Sequence, residues 1–293
     1  VYKRQTTLDA QGLGRVMVIA GDISPTVEGL RITGGDAAGL GGEPWTGWNG
    51  GGGVYVISAT ATITDNRVFS NTNITNGDGG GLYLYHSPST LSGNTVSANT
   101  ADDGGGLYLR DSAATLSGNT VYSNIAAVGG GLYLRDSAAT LSGNTVSANT
   151  ATWWGGGLYL DNSAATLSGN TVSSNTTGGW GGGLYLAGSA ATLSGNTVSA
   201  NTAYGDGGGL FLMVSDATLS GNTVYSNTAH DEGGGLYLDG SDATLSGNTV
   251  SANTADDDGG GLYLEDSDAT LTNTIVADNR ANDVGSRRGE EYC

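Results

Sequence analysis

The residues of this chain that could do chemistry are few, and they recur with the spacing of a repeat. Arg110 and Arg135 are 25 residues apart, and each is followed by an aspartate, Asp111 or Asp136. An arginine beside an aspartate is a candidate for a charged catalytic site. The same pair at equivalent positions of two stacked repeats would also form a ladder of ordinary ion pairs. We interpret the four residues as such a ladder.

The remaining candidates for catalysis or metal binding are weaker. His230 lies in Ala-His-Asp-Glu without a second matched motif, and His86 is the only other histidine. Cys293 is the single cysteine, so neither an intrachain disulfide nor a Cys/His metal cluster is expected. The run Asp256–Asp258 offers oxygen ligands of the kind that calcium takes. We predict no catalytic residue, no resident metal and no cofactor, and leave calcium at the acidic corners as an alternative.

These residues belong to a block, GGGLYL followed by ATLSGNTVSANTA, that recurs along most of the chain. The glycine triplets are separated by 25 to 28 residues, a period typical of solenoids. The triplets begin at Gly51, Gly79, Gly104, Gly129, Gly155, Gly181, Gly207, Gly233 and Gly259.

Within one repeat, three short segments alternate apolar and polar residues, as half-buried strands do. In the repeat that begins at Gly104, they contain Leu107 and Leu109, Leu116, and Val121, all predicted to point inward. The sequence therefore predicts an all-β fold, a right-handed parallel β-helix with three sheets and about ten coils of 25–28 residues. We divide the chain into a divergent coil and loop (1–50), regular repeats (51–279) and a polar tail (280–293).

Asparagines recur three residues after an apolar strand residue, as Asn119 and Asn124 do in that repeat. Asparagine tolerates tight-turn dihedral angles, and its amide can bond the same amide one coil away. We predict asparagine ladders at these corners, with a structural role.

Composition excludes some functions. The chain has 28 acidic residues against 10 Lys and Arg and a net charge of −18, which is unsuited to nucleic-acid binding. No run of 18 apolar residues occurs, so no transmembrane segment is expected. Richness in Thr, Ser, Asn and Gly with few Lys favours an extracellular or cell-surface protein.

Two sets of aromatic residues are candidate binding sites. The residues just before the triplets vary between repeats and include Trp153, Trp154, Trp180 and Tyr204, all predicted to emerge on one edge of the rod. They indicate either simple loop variability or a contact surface for a glycan or another partner. The middle residue of L-Y-L is predicted to point outward, giving a stripe that stabilises the sheet by stacking or binds sugars or another rod. The stripe includes Tyr108, Tyr133, Tyr159 and Tyr185.

The motif GGG[LV]Y[LV], followed by T[LI]xxNxVxxN, resembles the right-handed parallel β-helix repeats of the pectin-lyase-like superfamily. It is most similar to the glycine-rich repeats of bacterial surface proteins, polymorphic outer-membrane proteins and adhesins, from about Thr6 to Asn279. The resemblance implies the fold, whereas the functions of such proteins range from polysaccharide lyases and hydrolases to adhesins. Lyases of this kind use clustered acids and a basic residue, and the hydrolases use paired aspartates near a histidine.

Because the repeats are so uniform, we predict a protein that is not an enzyme, a bacterial structural or adhesive solenoid. Ice or glycan binding is the alternative, and a polysaccharide lyase or hydrolase is the third. We also predict self-association, lateral or head to tail, since strand edges at the rod ends invite pairing. Lys3 and Arg4 at one end would then meet Glu290 and Glu291 at the other.

Overall fold

Each repeat of the sequence forms one turn of a parallel β-helix, as predicted. The computed structural model describes residues 5–42 and 47–282, and the backbone of 291–292. Strands of successive turns pair in parallel and in register, so Leu107 pairs with Leu132, which pairs with Leu158. Every residue type of the repeat therefore forms a column along the rod.

The strands form four sheets, one more than predicted, and the sheets are named here after the residues that mark them. The tyrosine sheet comprises Met17–Ala20, Val54–Ile57, Leu82–Tyr85, Leu107–Arg110, Leu132–Arg135, Leu158–Asp161, Leu184–Ala187, Leu210–Met213, Leu236–Asp239, Leu262–Glu265 and Glu291–Tyr292. The leucine sheet comprises Thr26–Glu28, Thr62–Thr64, Thr90–Ser92, Thr115–Ser117, Thr140–Ser142, Thr166–Ser168, Thr192–Ser194, Thr218–Ser220, Thr244–Ser246 and Thr270–Thr272.

The valine sheet comprises Thr7–Asp9, Arg31–Thr33, Arg67–Phe69, Thr95–Ser97, Thr120–Tyr122, Thr145–Ser147, Thr171–Ser173, Thr197–Ser199, Thr223–Tyr225, Thr249–Ser251 and Ile275–Ala277. The fourth sheet, here called the edge sheet, was not predicted. It comprises Asn49–Gly50, Thr72–Asp78, Thr100–Asp103, Ile125–Val128, Thr150–Trp154, Thr176–Thr177, Thr202–Ala203, Thr228–Ala229, Thr254–Ala255 and Arg280–Ala281.

The segment before the first glycine triplet contributes strands to the sheets. Met17–Ala20 pairs in parallel with Val54–Ile57, so Ile19 lies in the column of core leucines. At the other end, part of the predicted tail joins the sheets: Arg280–Ala281 extends the edge sheet, and Glu291–Tyr292 pairs antiparallel with Leu262 and Tyr263. Lys3, Arg4, Glu290 and Cys293 lie outside the described residues.

The core is a narrow column of aliphatic side chains inside the coil. Leu107, Leu109, Leu116 and Val121 are all at most 1% exposed, as are their equivalents in the turns between Val54 and Val250, with Ala114 beside them, whereas Leu271 in the last turn is 43% exposed. Burying each such side chain contributes roughly 1.5 to 3 kcal/mol. The alternation within each strand sends these residues inward, as the sequence predicted.

Asparagine ladders close two corners of the coil, which confirms the prediction for these residues. Asn149 is fully buried, and its backbone N–H and its side-chain amide both donate to Asn175 Oδ1 at 3.0 Å. Its amide also donates to the carbonyl of Val121 in the preceding turn, at 3.0 Å. Each amide thus satisfies buried polar groups of the turns on both sides, so its role is structural.

The glycine triplet lets the chain turn sharply from the edge sheet into the tyrosine sheet. Gly155 has φ of +64°, a left-handed conformation that glycine adopts without strain. A Cβ atom on Gly156 would lie 2.5 Å from the carbonyl oxygen of Gly182 in the next turn. The second glycine is therefore required by the close approach of two backbones.

The tyrosines of L-Y-L point away from the main core and stack along the sheet, as predicted, but they are buried and so are not open to sugars or to another rod, as the alternative requires. Tyr108, Tyr133, Tyr159 and Tyr185 are 1%, 6%, 8% and 2% exposed. With their equivalents they form a second apolar layer, in which ring centroids of successive turns lie 4.7 to 5.4 Å apart. The tyrosines are buried because of the fourth strand, which was not predicted. This strand comes just before the glycine triplet and covers the outer face of the tyrosine sheet.

Candidate functional site

The edge sheet carries the exposed aromatic residues that the sequence singled out. Trp153, Trp154, Trp180 and Tyr204 are 59%, 38%, 37% and 61% exposed, and they lie on three successive turns of one edge. The structure therefore confirms their exposure and their common location. Their part in binding stays a prediction.

An inserted residue sets the position of these side chains. Turns of 25 and 26 residues stay in register in the other three sheets, so the additional residue of the longer turn lies in the edge sheet. There Ala126 pairs with Ala151 and Val128 with Trp154, and the longer turn has a bulge between these two pairs. Bulges redirect side chains and are common next to functional sites. Trp153 is thereby placed outside the ladder.

The two inner tryptophans rest on the buried tyrosine layer. The rings of Trp154 and Tyr159 are 6.2 Å apart, and those of Trp180 and Phe211 are 5.6 Å apart, both stacked. Trp154 and Trp180 also stack on each other at 6.4 Å. Because one side of each ring is packed, the aromatic edge is a supported surface rather than a set of mobile loop residues.

A second column continues the edge beyond the tryptophans. The ring of Tyr204 stacks on His230 at 4.8 Å, and His230 Nδ1 is 2.8 Å from a carboxylate oxygen of Asp256. If Nδ1 donates to this carboxylate, Nε2 keeps the lone pair and can accept a proton. The contact between His230 and Asp256 was not predicted, although the 26-residue period places Tyr204, His230 and Asp256 on successive turns.

Next to this column lie two carboxyl groups with shifted pKa values. The backbone N–H of Glu232 donates to Asp206 Oδ1 at 3.0 Å, which joins the two residues across neighbouring turns. Partial burial raises the pKa of Asp206 to about 6 and, together with the charge of Asp206, raises the pKa of Glu232 to about 7. Groups that titrate near neutrality are suited to proton transfer.

A third group of charges lies on the first regular turns. Each arginine lies near the aspartate that follows it in its own turn, with Nε of Arg110 3.7 Å from Asp111 and Nε of Arg135 3.8 Å from Asp136, so only part of the predicted cross-coil ladder is found. Arg135 also lies 3.7 Å from Asp161 in the following turn. These pairs are partly exposed, and such pairs contribute little to stability.

Close to these arginines, burial and the neighbouring Asp102 raise the pKa of Asp103 to about 7. Asp103 occupies the same column as Trp154, Trp180 and Asp206, immediately before a glycine triplet. This column therefore holds an apolar side chain such as Trp154 in some turns, and in others a carboxyl group such as Asp103 or Asp206, whose pKa is raised by burial.

Neither a metal site nor a membrane-spanning helix is found in the described part of the chain. Within 5–42 and 47–282, no three His, Cys, Asp or Glu side chains come together to hold a metal ion. The acidic run at Asp256–Asp258 is thus not such a group. None of the described segments forms a helix of the length and apolarity needed to cross a membrane.

Comparison with known families identifies the class of protein. The family model described as "Right handed beta helix region" matches residues 19–197 and 130–289. The chain belongs to this family, which confirms the predicted right-handed parallel β-helix.

Among solved structures, the periplasmic alginate epimerase AlgG is similar, with 14% identity and a TM-score of 0.45 over 78% of this chain and 76% of that chain. At this identity the similarity concerns the fold alone. Among curated proteins, none is significantly similar in sequence.

This comparison corrects the prediction that the chain is not an enzyme. The prediction was based on the uniformity of the repeats, yet the similar solved structure is that of an epimerase, which is an enzyme. Uniform repeats of this family do not by themselves exclude catalysis, so the prediction that the chain is not an enzyme does not stand.

The raised pKa values predict that stability falls as pH rises from about 4 to about 7. In this range the folded protein retains protons on Asp103, Asp206 and Glu232 that the unfolded chain has released, so unfolding becomes easier with increasing pH. Urea midpoints measured between pH 4 and 8 should decrease, and the decrease should be smaller in Glu232→Gln. The control Asp22→Asn, at an exposed corner of the first turn, should keep the wild-type slope. Midpoints that rise with pH would contradict this account.

Proposed function

We propose that this protein binds an extended polysaccharide along its aromatic edge. The observation that carries the proposal is the row of Trp153, Trp154, Trp180 and Tyr204, exposed on successive turns and continued by the ring of His230. Large exposed aromatic side chains are costly on a monomer surface without a partner, and they dominate the energetics of binding sites.

The geometry of the edge suits a linear polymer of sugar rings. Successive turns rise by about 4.8 Å, which is close to the length of one sugar residue in an extended chain. A polysaccharide lying along the rod would meet a ring or a polar side chain at each turn. Because one side of each ring is already packed, these side chains lose little conformational entropy on binding.

A location outside the cytoplasm is part of this proposal. Extended structural polysaccharides are found there, and a composition with Lys3 as the one lysine supports an exported protein. Adhesion, ice binding and self-association, also expected from the sequence, stay predictions.

Replacing Trp180 with alanine should weaken binding of the preferred oligosaccharide by about 2 kcal/mol, or roughly 30-fold in Kd. Isothermal titration calorimetry with a panel of β-linked hexasaccharides measures this loss. Tyr225→Ser is the matched control, because Tyr225 is an exposed aromatic residue of the valine sheet whose paired residue in the next turn is Ser251. Equal affinity of wild type and Trp180→Ala, with both folded, would contradict the proposal.

A second candidate function is acid–base modification of the bound polysaccharide. It is favoured by the pair of His230 and Asp256, which lies beside the two carboxyl groups with near-neutral pKa values, Asp206 and Glu232. His230 Nε2 is the candidate base, Asp256 orients its ring, and a protonated Glu232 is a candidate acid.

Turnover of the bound hexasaccharide, followed by NMR of the products, tests this second function. His230→Gln should lower kcat at least 100-fold, because general-base catalysis contributes on this order. His86→Gln changes the other histidine and should leave kcat unchanged. Absence of product with the wild-type protein on every hexasaccharide that it binds would rule out the catalytic function and leave the binding function intact.

A further inference from the structure

The aromatic edge lies in a part of the chain that carries one sign of charge. From Asp136 to Asp278 the sequence contains fifteen acidic residues and no Lys or Arg. On the edge itself, Asp231, Asp256 and Asp257 are exposed. Any ligand that lies on these rings must therefore lie beside carboxylates.

We propose that the polysaccharide is a polymer of amino sugars with free amino groups. Its sugar faces contact the aromatic residues, and its ammonium groups pair with the carboxylates of the edge. This inference rests on the proposed polysaccharide-binding function and names the class of its ligand.

The placement of rings and carboxylates along the edge supports this class. Tyr204 is followed by Asp206 two residues later, and His230 is followed directly by Asp231 and Glu232. These two segments lie on successive turns, about 4.8 Å apart, and each presents a ring and at least one carboxyl group beside the tryptophans of the two preceding turns. A polymer of amino sugars presents the matching pair, one ring face and one ammonium group per residue.

Electrostatics distinguishes between classes of polysaccharide. Burial opposes the ionisation of Asp206 and Glu232, and repulsion from neighbouring carboxylates adds to it, from Asp231 on Asp206 and from Asp206 on Glu232. An ammonium group bound between them would relieve that repulsion, and ammonium groups over aromatic rings gain a further cation–π attraction. A polymer of uronic acids would add negative charges to a surface that already repels them.

A lysine-rich peptide shares the positive charge but lacks rigid sugar faces to cover the exposed rings of Trp153 and Trp180. The supported row of aromatic residues favours the amino-sugar polymer over the peptide. Hexalysine serves as the peptide probe in the test.

The test compares three hexasaccharides by calorimetry at low and high salt: β-1,4-linked glucosamine, its fully N-acetylated form, and a β-linked uronic acid. We expect the glucosamine hexamer to bind at least tenfold more tightly than the acetylated hexamer, and the uronic acid not to bind measurably. The difference should shrink in high salt, because exposed charges are screened.

Variants separate charge from stacking. The double variant Asp231→Asn with Asp257→Asn should lose most of the preference for the free amine while keeping its affinity for the acetylated hexamer. Asp22→Asn with Asp266→Asn removes the same charge outside the edge and should keep the preference. Trp180→Ala should weaken both hexamers.

The remaining outcomes separate the two proposals. Equal affinity for free and acetylated hexamers, still dependent on Trp180, would overturn the amino-sugar inference and leave polysaccharide binding standing. The same would follow if the uronic acid bound most tightly. If no hexamer binds, or if hexalysine binds as tightly as the glucosamine hexamer and independently of Trp180, both proposals fail.

Discussion

The structure depends on the close approach of successive backbones at the glycine triplet. At the second glycine of each triplet, a Cβ atom would lie 2.3 to 2.6 Å from the nearest carbonyl oxygen of the following turn. Only glycine fits there, and this contact fixes how tightly one turn follows the next. It also turns the chain so that the edge sheet lies on the outer face of the tyrosine sheet. The second apolar layer exists because of this turn.

The two layers differ in what they tolerate. The main core is closed by Asn and Ser ladders that bond from turn to turn, so its columns hardly vary. The column over the tyrosine layer accepts Val128, Trp154, Trp180 or a carboxyl group such as Asp206, because it is open to solvent on one side. Sequence variation is therefore concentrated on one edge of a rigid rod. A rod of this kind can carry a binding surface without altering the interactions that fold it.

The features that recur in every repeat could be predicted from the sequence. The contacts between side chains of different columns could not. Alternation in L-Y-L, T-L-S and T-V-S predicted the inward leucines and valines, and the spacing of Asn119 and Asn124 predicted the ladders. The burial of Tyr108 could not be predicted, because it depends on a fourth strand of two to seven residues whose sequence varies from turn to turn. The pair of His230 and Asp256 was accessible from the 26-residue period, but only by comparing columns rather than local motifs. The raised pKa of Glu232 depends on partial burial, which no sequence pattern shows.

In this account, the close approach of backbones at the glycine triplet keeps the aromatic side chains of the edge packed against the tyrosine layer. The most direct measurement is tryptophan fluorescence of Gly182→Ala, in which the new Cβ would lie 2.4 Å from the carbonyl oxygen of Gly208. Gly188→Asn is the control, because Gly188 has open space around it and Asn162 occupies the same column with a similar φ. We predict red-shifted emission and stronger acrylamide quenching in Gly182→Ala, with far-UV circular dichroism still that of a β protein, and no change in Gly188→Asn. Wild-type emission and quenching in a folded Gly182→Ala protein would contradict the claim.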